Sequence, residues 1–325
     1  GSISGVRESS LFRTAPSHFA SKKSVMYVVS SADLENWQYE TEFALQRDVR
    51  EPRFAVYHDT LNLYFFTGGT RPLRFEPNEV LLTRKAGSGK WSVHQSVNLD
   101  GFVPWRLRTR ADTLYLSAYY GRGLYKGSHH SNLRLFYSTN GTGWHTLSTE
   151  AQIDILNAEA GEFIFDKKGD MYATVRLEGT GALVCKAPAA NLTKWEQRRT
   201  KAKYDSALLF DHNDDIYLIS RRNVDGDMDK VKNRKNDKQG RMRNLIRYSI
   251  TRKVTALYKF DKDSLIVTPV VDFPSTGDNA YAGIAQVDAN TYVVMNYSSD
   301  ITKRKKNWIR GQLGKTYIYW TKLRF

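Results

Sequence analysis

At 325 residues with 41% hydrophobic content, the chain is long enough to bury a large core in one domain, and it holds no apolar run of 18 residues that would span a membrane as a helix. Lys and Arg number 49 against 34 Asp and Glu, a net charge of +15 that favours anionic partners: acidic glycans, phosphate, nucleic acid or a negative membrane surface. The single cysteine, Cys185, sits in the apolar run Ala182-Leu183-Val184-Cys185 and excludes both a disulfide framework and a cysteine-based metal site.

In chain order, Gly1-Ser2 reads as a cloning remnant, so a leader trimmed upstream is compatible with the secreted or periplasmic location expected here. Residues 1–23 read as an extension and Ser24 to Phe43 as outer strands. Four tryptophans, Trp37, Trp91, Trp144 and Trp195, then follow at intervals of 54, 53 and 51 residues, the mark of a repeated supersecondary unit. Each closes the same order of elements. One unit has strands at Arg53 to Tyr57, Leu61 to Phe66, Glu79 to Thr83 and Trp91 to Ser96. The next has Trp105 to Arg108, Thr113 to Tyr119, Asn132 to Tyr137 and Trp144 to Leu147. The third has Glu162 to Phe165, Asp170 to Arg176, Gly181 to Cys185 and Trp195 to Arg198. Period-two alternation and tight turns such as Lys168-Gly169 and Asn213-Asp214 support these strands. Inner strand pairs beginning near 51, 103, 161, 205 and 280 number five, and Thr316 to Phe325 adds a late strand.

The expected fold is therefore all-β, a β-propeller of four-stranded blades in a single domain. Five blades are favoured, and six follow if the first 23 residues contribute more than an extension. Two basic insertions interrupt the pattern: 223–244, with seven Lys or Arg against four Asp, and 299–315, with six against one. Both read as solvated loops or as an electrostatic funnel.

In a propeller, inner strands start at the face to which second strands return. That mouth collects Glu51 and Arg53, Trp105 and Arg106, Glu162, Asp205, and Asp278 with Tyr281 from strand starts. It collects Tyr119, Tyr120, Arg176, Arg221 and Arg222 from strand ends. Carboxyls that face one another across a shared mouth can divide the work of general acid and of base or nucleophile. Glu162 is assigned as the acid and Glu51 as base or nucleophile, with Asp205 and Asp278 as further candidate carboxyls. Arg53, two residues from Glu51 and so on its side of a strand, favours the ionised form of that base. Arg106, Arg176, Arg221 and Arg222 are candidates for gripping a carboxylate or sulfate, and Trp105, Tyr119, Tyr120 and Tyr281 offer stacking faces. His129, beside His130 on a connection above the mouth, is a further candidate ligand contact. The Trp rings read as packing between blades.

Ser31-Ala32-Asp33-Leu34-Glu35-Asn36-Trp37 resembles the Ser-x-Asp-Leu-x-x-Trp turn of the five-bladed glycosidases, the superfamily of arabinanases, β-xylosidases and β-fructosidases. Arg50-Glu51-Pro52-Arg53 is similar to their Arg-Asp-Pro element with Glu for Asp, and Glu159-Ala160-Gly161-Glu162-Phe163 to the segment that carries their general acid. Val103-Pro104-Trp105-Arg106 stands where those enzymes place an auxiliary Asp. Six-bladed sialidases are the second resemblance, through Arg53, Glu162 with Arg176, Arg221 or Arg222, Tyr281, and Ser138-Thr139-Asn140-Gly141-Thr142-Gly143-Trp144, which is similar to their Asp-box turn. That resemblance implies an arginine clamp on a substrate carboxylate and Tyr281 as nucleophile.

The activity these features imply is hydrolysis of an anionic glycan by a monomer without metal or cofactor; a non-catalytic lectin for acidic glycans is the alternative. Asp225, Asp227 and Asp229 alternate as in a calcium loop but lack its turn Gly and distal Glu. Nucleic-acid binding ranks last, because the basic insertions hold one stacking aromatic, Trp308.

Overall fold

The computed structural model describes residues 3–8, 20–71, 76–87, 89–121, 130–227, 238–303 and 306–325. The chain forms two compact units, residues 1–156 and 157–325. The fold is an all-β propeller type, built from antiparallel sheets whose strands follow one another in sequence.

The first unit holds β1 (Ile3–Glu8), β2 (Met26–Ser31) and β3 (Gln38–Phe43) in one sheet. A second sheet has β4 (Val49–Tyr57), β5 (Thr60–Thr67), β6 (Val80–Ala86) and β7 (Gln95–Ser96). A third has β8 (Phe102–Arg110), β9 (Thr113–Tyr120), β10 (His130–Ser138) and β11 (His145–Thr146), with β12 (Ile153–Leu156) also on β10. The second unit holds β13 (Ala158–Phe165), β14 (Met171–Leu177), β15 (Ala182–Ala187) and β16 (Glu196–Thr200). Next come β17 (Asp205–His212), β18 (Asp215–Asn223), β19 (Lys253–Phe260) and β20 (Val267–Asp272), then a three-stranded sheet of β21 (Ala280–Gln286), β22 (Thr291–Ser298) and β23 (Tyr317–Arg324). Helices α1 (Lys238–Ile250) and α2 (Trp308–Gln312) lie between β18 and β19 and between β22 and β23.

All five expected inner pairs are present: β4 with β5, β8 with β9, β13 with β14, β17 with β18, and β21 with β22. Within the expected N-terminal extension, Ile3 to Glu8 pairs with Ser31 to Met26 in a three-stranded sheet, and the five inner pairs give the five-bladed propeller favoured above. The basic insertion at 223–244 does not end as a loop: its last residues open α1. Two of the outermost strands are shorter than the alternation suggests. β7 and β11 keep two residues each, and the tryptophans Trp91 and Trp144 precede them in the turns.

Packing within the second unit explains why its inner strands read as unbroken apolar runs. Along β17, Leu209 enters a core with Ile164, Tyr172, Val184 and Tyr258, while Leu208 and Phe210 enter another with Ala282, Tyr292 and Val294. A strand buried on both faces gains nothing from polar alternation. In the first unit Met26, Val28 and Phe43 pack on Val49, Leu63 and Phe65 in the same manner.

The turns before the tryptophans are scaffold, and two of them share one geometry. Ser31 Oγ accepts from Leu34 N at 2.8 Å and Asp33 Oδ1 from Asn36 N at 2.7 Å; Ser138 Oγ accepts from Gly141 N at 2.9 Å and Asn140 Oδ1 from Gly143 N at 2.7 Å. Leu34 and Gly141 both take positive φ, 70° and 73°. Two motifs that resemble two different families in sequence are thus a single Ser-x-Asx turn. Trp144 then packs edge-on against Tyr64 of the neighbouring sheet, 5.8 Å between ring centres.

Candidate functional site

Every inner strand breaks register near its start, always by one extra residue. The breaks fall between Arg50 and Arg53, Pro104 and Arg106, Glu159 and Gly161, Asp205 and Leu208, and Ala280 and Gly283. Four of the five place a non-glycine residue in the left-handed region: Glu51 (φ 52°), Ala160 (53°), Ser206 (59°), and Ala280 and Tyr281 (88° and 51°). Such bulges re-aim side chains at the rims of β-structures, and left-handed backbone at non-glycine residues costs roughly 1–2 kcal/mol each. A strain repeated in four sheets marks the strand starts as the place where side-chain direction is set.

In the second unit these starts carry a chain of alternating charges. Glu159 lies across from Arg176 in the β13–β14 pair, and Asp205 across from Arg221 in the β17–β18 pair. The pairs are then linked between sheets. Arg176 places Nη2 2.9 Å from Glu159 Oε2 and donates from Nη1 to Asp205 Oδ1. Arg221 donates from Nη1 to Asp205 Oδ2 at 2.8 Å and from Nη2 to Asp278 Oδ1 at 2.9 Å. Its Nε donates to the Asn279 carbonyl at 2.9 Å, so all three nitrogens have protein acceptors. Tyr297 OH donates to Asp278 Oδ1 at 3.2 Å, and its ring stacks on Tyr281, 5.8 Å between centres. Glu159, Asp205, Arg221 and Asp278 are buried, whereas Tyr281 at the end of the chain is 36% exposed.

These surroundings drive the carboxyls apart in proton affinity. Burial pushes Glu159 up to about 7 against the pull of Arg176, and neighbouring Glu178 adds to the rise. Burial works the same way on Asp205, but Arg176, Arg221 and Lys203 outweigh it and hold that carboxyl well below the usual range. Glu178 is also held low: burial opposes, and Lys203, at 2.9 Å, and Arg176 prevail. One guanidinium therefore lies between a carboxyl that holds its proton near neutrality and one that stays ionised.

Helix α1 supports the chain from outside. Tyr248 OH donates to Asp205 Oδ2 at 2.8 Å, and Lys203 Nζ sits over the Tyr248 ring at 4.2 Å. Lys253, buried behind it, donates from Nζ to the Tyr248 carbonyl at 2.7 Å and to Thr251 Oγ1 at 2.5 Å, an ammonium at a helix C-terminus. Burial, with Arg221 and Lys203 nearby, brings its pKa down to about 7. Gly311 of α2 meets the other end, where a Cβ would fall 2.0 Å from Asp278 N. Between α1 and the strand ends opens a shallow cleft lined by Gly179, Thr180, Lys203, Tyr204, Arg221 and Tyr248 among others.

The first unit gathers Glu51, Arg53, Trp105 and Tyr119. Arg53 Nη2 donates to Glu51 Oε2 at 2.6 Å, its Nε donates to the Trp105 carbonyl, and its guanidinium lies 5.0 Å from the centre of the Trp105 ring. Trp105 in turn tilts against Tyr119 at 6.4 Å. Arg106 and Tyr120 are partly exposed on β8 and β9, Tyr120 edge-on to Phe102.

Two sequence candidates fall elsewhere. Glu162, as fully buried as Glu159, accepts from Leu209 N of the adjacent inner strand at 3.2 Å, two residue pairs further along β13. Arg222 follows the strand alternation away from Arg221 and pairs with Asp272, Nε to Oδ1 at 2.8 Å. His129 and Asp229 lie outside the described residues, and Asp225 pairs with Arg252 at 2.8 Å. Sequence reasoning missed Glu159 as a site residue, along with Glu178, Lys203, Tyr248, Lys253 and Tyr297. For Glu159 the signal was its place opposite the end of β14.

No family model matches the chain, and no curated protein does. Solved structures do. A Dyadobacter fermentans protein of unknown function is similar over 100% of this chain and 92% of its own, with TM-score 0.69 and 13% identity. Trypanosoma rangeli sialidase in complex with 2,3-difluorosialic acid matches 91% of this chain and 50% of its own, with TM-score 0.63 and 11% identity. An exo-1,5-α-L-arabinanase from a bovine ruminal metagenomic library matches 86% and 94%, with TM-score 0.50 and 12% identity. What they share with this chain is the fold.

Proposed function

We propose that the protein is a glycoside hydrolase of the propeller type acting on a glycan that carries carboxylate or sulfate groups. One observation carries the reading: Glu159 and Asp205 flank Arg176, the first raised to about 7 and the second held ionised. A carboxyl that keeps its proton at neutral pH is what a leaving glycosidic oxygen requires, and paired groups of opposed proton affinity are the usual acid and base arrangement. Glu159 replaces Glu162 as the acid in this reading. Asp205, engaged by Arg176, Arg221 and Tyr248, fixes the Arg176 guanidinium against Glu159, and exposed Tyr281, joined through Tyr297 to Asp278, meets the substrate. Likeness to a sialidase and an arabinanase supports the glycosidase class, and the net charge of +15 supports the anionic substrate.

Screening acidic polysaccharides and synthetic glycosides with product identification tests it. Turnover by the wild type, reduced at least about 100-fold in Glu159→Gln, is the expected result. Loss in Tyr281→Phe as well favours a tyrosine nucleophile, and a mild effect favours a carboxylate one. A second reading, a non-catalytic lectin, is favoured by the burial of Glu159, Asp205 and Asp278, all paired with Arg176 or Arg221. Glycan binding with no product on prolonged incubation decides for the lectin.

A further inference from the structure

Helix α1 turns its aliphatic side outward. At about 100° per residue, its two buried residues, Asn244 and Tyr248, define the inner face, and Met242, Ile246 and Ile250 fall on the opposite side. These three are 52%, 57% and 58% exposed. A surface helix of a globular protein ordinarily does the reverse. Here the polar Asn244 is the residue turned inward, donating to the Gly179 carbonyl at 2.9 Å. Lys238, Arg241, Arg243 and Arg247 share the helix with the stripe, and residues 238–250 contain no Asp or Glu. Helix α2 abuts the end of α1, with Trp308 N donating to the Thr251 carbonyl at 3.1 Å and the indole 5.8 Å from the Tyr248 ring. It exposes Ile309 and, one residue past its end, Leu313, with Arg310 between them.

We propose that this pair of helices docks on the surface of a bilayer containing anionic phospholipid, with Met242, Ile246 and Ile250 in the acyl boundary and the arginines at the phosphates. An aliphatic stripe flanked by Lys and Arg on an acid-free helix is the composition of an interfacial helix. Charge selects the occupant. A second copy of this chain would bring the same four basic residues against these four, which opposes self-association. A sulfated polymer would use the arginines and leave the aliphatic stripe in water. A partner helix needs a groove, and side chains more than half exposed project instead of lining one. The helix is 13 residues long, far short of a span, so the attachment is peripheral and reversible.

Vesicle co-sedimentation with the full chain tests this, using phosphatidylcholine with and without phosphatidylserine. The wild type is expected on the phosphatidylserine vesicles and in solution with phosphatidylcholine alone, and to be released by salt. Met242→Ser/Ile246→Ser/Ile250→Ser is expected to weaken partitioning by roughly tenfold or more, and Arg243→Gln and Arg247→Gln by about fivefold each. An unchanged unfolding midpoint confirms that the variants fold, and the single Ile246→Ser change serves if the triple variant does not. Absence of the wild type from phosphatidylserine vesicles overturns the proposal. So does binding that the serine variants retain in full, which is adsorption by charge alone, or retention on sulfated-polysaccharide beads without vesicle binding.

Discussion

In β4 and β8 the residues around the inner-strand bulge make short local contacts, Glu51 to Arg53 and Arg53 to Trp105, with Glu51 and Arg53 still partly exposed. At the starts of β13 and β17 the same backbone device carries Glu159 and Asp205, and Asp278 lies just before β21; these join Arg176 and Arg221 in one buried chain of alternating charge. The bulge is common to both regions, so it is scaffold. What differs is whether the charges it aims are left near water or sealed against one another, and in the sealed set Glu159 is pushed up to about 7 while Asp205 is held well below the usual range.

The contrast is broken most directly by removing one guanidinium from each region. Arg221→Met leaves Asp205 and Asp278 buried without their shared partner, and a loss of about 3–5 kcal/mol is expected in urea unfolding. Arg53→Met, which frees a partly exposed carboxylate, is expected to cost about 1 kcal/mol. Equal losses would mean that the sealed chain has no special energetic role.

A smaller effect sharpens the comparison through pH. Lys253 releases its proton near 7 when folded and near 10.5 when unfolded, so the unfolded chain binds more protons between those values. The cost of burying the ammonium is therefore fully present below about 7 and fades as pH rises toward 10.5. Relative to Lys253→Met, the wild type is expected to gain on the order of a few kcal/mol across that window. Urea midpoints of the two proteins at its two ends check this. Smallest is the strain itself: Ala160→Gly relieves a left-handed residue and is expected to add about 0.5–1 kcal/mol of stability, read as a small rise in Tm.

The five inner pairs were legible because period-two alternation and tight turns are local signals. The bulge on which the proposed choice of Glu159 over Glu162 rests was not. Alternation alone puts Glu159 and Glu162, three residues apart, on opposite faces of β13. The extra residue at Ala160 restores both to one face, with Glu159 opposite Arg176 and Glu162 opposite Thr174. A single bulge thus sets Glu159 two pairs from Glu162 on the same face, and nothing in the alternation announces a bulge at an alanine. Helix α1 was hidden for another reason. Its aliphatic residues face outward and its inward residues are Asn244 and Tyr248, so a basic stretch without an inward apolar stripe reads as a loop. β1 lacked a visible partner in the sequence because pairing with β2 spans the long connection between residues 8 and 26.

The protonation of the two carboxyls on Arg176 tests the account most directly. Carbon-13 NMR titration of the side-chain carboxyls, assigned by Glu159→Gln and Asp205→Asn, is expected to give Glu159 a midpoint near 7 and to leave Asp205 ionised throughout the range in which the fold persists. A Glu159 carboxyl already ionised in mildly acidic solution, titrating alongside ordinary surface glutamates, would contradict the assignment of this chain as the reactive centre.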